Sequence, residues 1–414
     1  MDAPPNITKL FPNSKALLVS GKVIDQALLA KGKAMTIAAN GRNHLVVRGA
    51  LRAAQKANAA IILEIAKSEG GSSNYCHTNY WNLAMQADQV MNELGITVPV
   101  AIHADHYAIK NDKDLEAARL EIPTMFGAGI TSIAIDASHQ VDDKNLLASI
   151  ELNQYIPKWA GLETEVGEIK GKEGLSTPEE ALFLIAGLNA HGIFPNWIAL
   201  NNGTAHGIQT SEQGIDVELT ARIHQVLTPY KVSGAQHGTS GNDNGRLARI
   251  AAETKTTKAN VATALQMLTW GVEVNEFGNA VLDSDGNFKK VSTLGLSDQL
   301  WEEMMAYAAK QGWNGGNFKK LNLPFEGKLL AQPAEYRERS EVAVEDFIYN
   351  LLANVFNAKD SAPLGIEAIL KANSFDLGPK AERIEDPAEW TPAKIAEKAK
   401  PLAVGKGGGG NFDD

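Results

Sequence analysis

Val98-Pro99-Val100-Ala101-Ile102-His103-Ala104-Asp105-His106 is the stretch on which the fold turns. A short apolar, β-branched run, Val98–His103, ends abruptly in ionisable side chains. Strands of a parallel sheet covered on both faces read as near-continuous apolar runs of this kind. Working outward, similar runs occur at Met35–Ala39, Ala60–Ile65, Thr131–Asp136, Leu162–Val166, Trp197–Asn201, Val232–Gln236 and Gly271–Val274, eight in all. Their spacing of roughly 25 to 40 residues is that of a βα repeat. The intervening segments carry helix signals. Arg48–Ala59 is alanine-rich with apolar residues three and four apart, and Val217–Val226 and Lys258–Leu268 read similarly. Ser176-Thr177-Pro178-Glu179-Glu180 offers a capping hydroxyl, then proline and acids near the positive end of a helix dipole. The expectation is an α/β fold, a (β/α)8 TIM barrel, over residues 1–282. A doubly wound open sheet shares the alternation, since strand count alone does not prove closure.

Composition narrows the function. The chain has 414 residues, 44% hydrophobic and 21% charged, as suits a folded enzyme with a large core. A formal net charge of −10 gives no electrostatic reason to seek nucleic acid or an anionic membrane. The single cysteine, Cys76, cannot form an intramolecular disulfide and suits a reducing compartment. Met1–Leu10 lacks the features of a secretory signal, and no stretch reaches the roughly 18 apolar residues of a membrane span. These features read as a cytoplasmic protein. Beyond Leu282 the rhythm changes: Asp298–Gln311 and Ser340–Phe356 read as helices, the second with Val342, Phe347, Leu351 and Val355 in a stripe. Residues 283–414 are expected to be a C-terminal helical extension packed on the barrel or at a subunit interface, with 403–414 a flexible glycine-rich tail.

Chemistry in such a barrel sits at the C-terminal ends of the strands. Polar residues crowd there: Asn40; Asp105 and His106; Asp136; Glu163 and Glu165, two apart and so on one face; His206; His237. Three strand ends each offering an imidazole point to a metal. His106, His206 and His237 fit a catalytic zinc with one position open. Asp105 could orient a ligand or transfer a proton; a solvated surface carboxylate is the plainer alternative. His237-Gly238-Thr239-Ser240-Gly241 could cradle a phosphate on backbone N–H groups and a hydroxyl, although glycines there could serve only the turn. Gly167–Leu175 has the polarity of a loop over the site, bringing Glu168 or Glu173; a plain surface loop is the alternative.

Cleaving a carbon–carbon bond beside a carbonyl needs an electron sink, either a lysine Schiff base or a metal. None of the eight runs contains a lysine, and Lys231 precedes the seventh. The metal route is the one expected.

These segments resemble class II fructose-bisphosphate aldolases. Ile102-His103-Ala104-Asp105-His106-Tyr107-Ala108 is similar to that family's His-x-Asp-His-Cys-Ala motif, and Leu162-Glu163-Thr164-Glu165-Val166-Gly167 to its Leu-Glu-x-Glu-x-Gly. The Asn-Gly-x-x-His-Gly and His-Gly-x-Ser-Gly segments match in order and spacing, and Ala38-Ala39-Asn40 resembles the first-strand Ala-x-Asn. The likeness covers roughly residues 34 to 280. It implies a zinc ion on His106, His206 and His237. Asp136 and Glu165 would form an acidic pair at a second or alternative metal position. Asp105 would handle the aldehyde-side proton and Glu173 the donor-carbon proton. Asn40 and Asn275 would position substrate, and Gly207, Gly238 and Ser240 would bind phosphate with help from Na+ or K+. It also implies a cytoplasmic homodimer or homotetramer of glycolysis and gluconeogenesis, cleaving fructose 1,6-bisphosphate to dihydroxyacetone phosphate and glyceraldehyde 3-phosphate. The chain departs from the pattern in three places. Ile208-Gln209-Thr210 stands where a lysine often follows the histidine–glycine pair. Glu276-Phe277 follows Asn275 in place of an Asp-Thr or Ala-Thr contact. The strand-2 segment lacks the usual Phe-Ser, and the arginine for a far phosphate has no clear match, with Arg337 and Arg339 as candidates. Another ketose phosphate such as tagatose 1,6-bisphosphate, a barrel zinc hydrolase, and a non-catalytic sugar-phosphate-binding relative are the other readings. The absence of a His-x-His pair on strand 1 argues against the hydrolase.

Overall fold

A computed structural model of the chain describes residues 3–72, 74–167, 174–203 and 214–403. Eight parallel strands close into a barrel in sequence order: β1 Thr36–Asn40, β2 Ile61–Ala66, β3 Val100–Ala108, β4 Ser132–Asp136, β5 Gly161–Val166, β6 Trp197–Leu200, β7 Ser233–Gln236 and β8 Thr256–Val261. The first seven fall on the apolar runs. The eighth does not. Gly271–Val274 follows the helix Thr263–Trp270, where Gly271 takes φ 74° as its C-cap, and Val272 and Val274 make antiparallel bridges to Lys290 and Ala280 outside the barrel. The true β8, Thr-Thr-Lys-Ala-Asn-Val, pairs with β1 and β7. It lies partly within the segment expected to be the helix Lys258–Leu268. Its inward side chains are polar because they meet polar partners across the barrel, so no apolar run marks it.

Helix signals translate directly. Thr177 caps the helix Pro178–Ala190 through the Glu180 N–H, with Glu180 returning the bond and Pro178 in the first turn. Asn43 caps His44–Ala57 through Val46 N–H, and Asn58 ends it in the left-handed conformation.

The extension packs on the barrel. The helix Ala334–Asn350 lies along His44–Ala57, burying Val344 and Ile348. The stripe is displaced from the expected one: Val342 and Phe347 are only half-buried. Gly49 permits this contact, since a Cβ there would lie 2.7 Å from both Glu341 O and Val344 Cβ. Arg48 pairs with Glu341 at 3.0 Å and Arg52 with Glu345 at 2.7 Å along the seam. Farther on, Lys380 closes the barrel floor on Asp25, Ser233 Oγ and the Asn196 carbonyl. Among the described residues no helix is long and apolar enough to cross a membrane.

Candidate active site

The strand ends of β1, β2, β3, β7 and β8 open into a cavity of about 500 Å³. β3 does most to shape it. Its pairing with β4 shifts between Ala104 and Tyr107, and at that bulge His106 adopts φ 41°. Bulges re-aim side chains, and a left-handed histidine is strain held by its surroundings. Here the bulge brings both Asp105 and the next residue, His106, to the cavity.

The carboxylates of β4 and β5 stand beside this ring. His106 Nδ1 lies 3.1 Å from Glu165 Oε1 and 3.6 Å from Asp136 Oδ2. Ser138 holds the other Asp136 oxygen with its N–H and hydroxyl. The His106 and His237 rings stand edge to face with centroids 4.3 Å apart. His237 Nε2 donates to Glu163 Oε1 at 2.8 Å, which fixes the ring and leaves Nδ1 facing Glu165 Oε2 at 3.8 Å. Potential ligand atoms of Asp105, His106 and His237 lie within 4.8 Å of one another, as do those of His106, Asp136 and Glu165, and of Glu163, Glu165 and His237. Overlapping nitrogen and carboxylate donors of this kind suit zinc. In a further group, Glu64, His103 and Asp105, a cation is already present: Lys258 Nζ lies 3.3 Å from Glu64 and 3.4 Å from Asp105.

Electrostatics follow from this crowding. Burial pulls His106 down, but Glu165, Asp105 and Asp136 outweigh it and raise its pKa well above the usual histidine value. Burial pushes Asp105 up, yet His106, Lys258, His237 and His103 hold it below the usual carboxylate range. Burial and the nearby Lys258 drive His103 down to about 3. Against the cost of burial, Lys258 and His237 keep Glu163 down at about 2. Glu64 goes the other way, raised by burial and by Asp105.

Most of the expected residues converge. Asp105, His106 and His237 line the cavity with Asn40, Gly238 and Ser240. The loop after β7 is held by Asn242, whose amide donates to the carbonyls of Gly238, Thr239 and Ser240. Thr239 Oγ1 ties the same loop to the Asn260 carbonyl at 2.7 Å. His206, Gly207 and Glu173 lie outside the described residues. Asn275 is a correction. It sits outside the barrel beside a neighbouring cavity, and its Oδ1 accepts from Phe277 and Asn279 N–H in a local turn. The asparagine that β8 delivers is Asn260, which lines the main cavity. Val261-Ala262-Thr263 follows it, so the Ala-Thr pair thought missing is present, and both residues line the cavity.

Other residues escaped the sequence reading. Lys258 lies inside β8, contrary to the expectation that no strand carries a lysine. Arg337 and Arg339 bond backbone carbonyls elsewhere; the arginine in the cavity is Arg42, pinned by Glu69 at 2.7 Å and by Gln266 at 3.2 Å. Glu69 also accepts from Asn40. The extension supplies one wall through Asn314, Asn317 and Lys319, anchored by Asn322 on Gln266 and Asn43.

A sequence model described as fructose-bisphosphate aldolase class-II matches residues 22–311. The chain belongs to the class II fructose-bisphosphate aldolase family. A fructose-bisphosphate aldolase of Staphylococcus aureus is 32% identical over 124 residues, 30% of this chain and 39% of that one. The aligned part thus spans about two-fifths of that relative. A fructose-bisphosphate aldolase of Streptococcus pneumoniae is 28% identical over 235 residues, 52% of this chain and 69% of that one. Among solved structures, the YdjI aldolase of Escherichia coli K12 superposes with TM-score 0.53 at 16% identity, covering 82% of this chain and 97% of that one. The fructose-bisphosphate aldolase of Campylobacter jejuni gives 0.52 at 16% identity with the same coverage. These two likenesses bear on the barrel fold, which the aldolase family shares.

Proposed function

We propose that this aldolase is a zinc enzyme that reversibly cleaves a ketose bisphosphate, fructose 1,6-bisphosphate in the first instance, to dihydroxyacetone phosphate and glyceraldehyde 3-phosphate. The observation that carries the reading is the β3 bulge, which sets Asp105 beside His106 in one cavity with His237. His106, His237 and His206 would hold zinc, with Asp136 and Glu165 at a second or alternative position. A zinc ion there would supply the Lewis-acid polarisation of the ketose carbonyl that cleavage needs.

The protein's own residues do the rest. Asp105 accepts the proton of the hydroxyl on the carbon that becomes the aldehyde, and the bond between the two halves breaks. The electron pair remains with the ketone half, where Glu173 returns a proton to carbon. Asn40 and Asn260 hold hydroxyls. Gly207, Gly238, Ser240 and Thr263 take the donor phosphate, assisted by a monovalent cation. A homodimer or homotetramer in the cytoplasm would be the working form.

A different ketose is the second reading. It is favoured by the strand-2 end, where Glu69 and its ion pair with Arg42 line the cavity. A panel of fructose 1,6-bisphosphate, tagatose 1,6-bisphosphate and fructose 1-phosphate, read by dihydroxyacetone phosphate release, separates the two. The first reading expects the highest kcat/KM with fructose 1,6-bisphosphate. Preference for another sugar moves the assignment to that sugar, and release from none refutes both.

A further inference from the structure

Lys258 is among the largest fully buried side chains of the protein. It projects from β8 into the barrel interior, beneath the proposed metal site. Its Nζ lies 2.8 Å from Glu163 Oε2, 3.3 Å from Glu64 Oε2 and 3.4 Å from Asp105 Oδ1. Barrel interiors are ordinarily filled by branched apolar residues. A buried ion pair is weak evidence for stability, since a well-packed apolar group often serves as well or better. The lysine therefore calls for a reason other than packing.

A Schiff base is not that reason. Imine formation needs a free amine. Burial alone would favour one, but Glu163, Glu64 and Asp105 outweigh burial and hold the ammonium above the usual lysine value.

The geometry at Asp105 supplies a better one. Asn260 lies two residues beyond Lys258 and so on the same face of β8. Its Nδ2 donates to Asp105 Oδ1 at 3.0 Å. Lys258 and Asn260 thus engage one oxygen of Asp105. The other, Oδ2, lies on the side of His106, 3.9 Å from its Nε2. Tyr80 fixes the backbone at the same residue, its hydroxyl donating to the Asp105 carbonyl at 3.0 Å. A carboxylate gripped at one oxygen, with its backbone tethered, has little rotational freedom left.

We propose that Lys258 is a positioning residue: with Asn260 it fixes Oδ1 of Asp105 and so presents Oδ2 to the cavity as the atom that exchanges the aldehyde-side proton. This rests on Asp105 being the proton carrier, as proposed above. Lys258 touches no reacting atom. Its partner Glu163 also orients His237, so metal binding must be followed separately.

The test compares two reactions of the zinc-loaded enzyme. Exchange of the donor-carbon proton of dihydroxyacetone phosphate with deuterated water does not use Asp105; cleavage of the bisphosphate does. In Lys258→Met, kcat for cleavage should fall roughly 100-fold, the scale of a misplaced catalytic group. Exchange, zinc content and far-UV circular dichroism should stay near wild type. Lys258→Gln, which keeps a hydrogen-bond donor without the charge, serves if the methionine variant does not fold. It should show the same selective loss in smaller measure. Equal loss of cleavage and exchange, or loss of neither, in whichever variant folds would overturn the proposal. Asp105→Asn run alongside separates the two levels: if it spares cleavage, the role of Asp105 is wrong. If it abolishes cleavage selectively while the Lys258 variants do not, only the role of Lys258 is wrong.

Discussion

Glu326 offers a sharp test of how the extension is held on the barrel. It lies in the helix Asn322–Leu330 and is 3% exposed. One oxygen accepts from His44 N–H at 2.9 Å, at the start of the helix that follows β1. The other has no hydrogen-bond partner among the described residues. Burial raises its pKa from 4.5 to about 7, against the opposing His44 hydrogen bond. The sign follows from linkage. The folded state favours the neutral acid while the unfolded chain ionises at 4.5, so stability falls as pH rises from about 4.5 to about 7 and then levels off. A shift of this size corresponds to about 3 kcal/mol at pH 8 and to about 1 kcal/mol at pH 5. Glu326→Gln keeps the acceptor for His44 and removes the ionisation. Its cost in packing and unmet amide hydrogen bonds is the same at both pH values and cancels in the difference. The variant should therefore gain about 2 kcal/mol relative to wild type on going from pH 5 to pH 8, roughly 2–4 °C in Tm for a chain of this size. Differential scanning calorimetry at the two pH values reads this directly. An equal effect at both, or a larger benefit at pH 5, would refute the reasoning.

Other consequences are equally specific. Gly49→Ala should lower stability by about 1–3 kcal/mol through overpacking against Glu341 and Val344, measured by urea denaturation; an unchanged midpoint would mean that the helix pair does not approach so closely. Glu163→Ala should weaken zinc binding about 10- to 100-fold by releasing the His237 ring, measured by competition with a chelating dye, and unaltered affinity would remove Glu163 from that role. Asn275→Ala should leave kcat/KM near wild type while Asn260→Ala lowers it; the reverse order would restore the sequence expectation.

What was legible in the sequence and what was not divides on one physical point. β1 to β4 and β6 are apolar enough to announce themselves, β5 and β7 keep the βα spacing beside them, and His106 and His237 stand at ends that this rhythm can find. β8 is polar because Lys258 meets Glu163, Glu64 and Asp105 across the barrel. Those carboxylates come from β2, β3 and β5, so no local pattern foretells the pairing. Because β8 gives no apolar signal, the strand assignment falls on Gly271–Val274, and the candidate substrate-positioning asparagine moves with it, from Asn260 to Asn275. Arg42 escaped for a similar reason. Its partners Glu69 and Gln266 lie on separate elements that only barrel closure brings together. The β3 bulge could not be foreseen either. Nothing in His103-Ala104-Asp105-His106 states that the chain slips register there, yet that slip sets the acid beside the imidazole.

The central claim is metal-dependent cleavage at the cavity of Asp105, His106 and His237. Cleavage of fructose 1,6-bisphosphate should be measured on purified protein as obtained, after exhaustive chelation, and after zinc is restored. Activity lost on chelation and recovered with zinc is the result expected. Full activity in protein shown to contain no metal would contradict it.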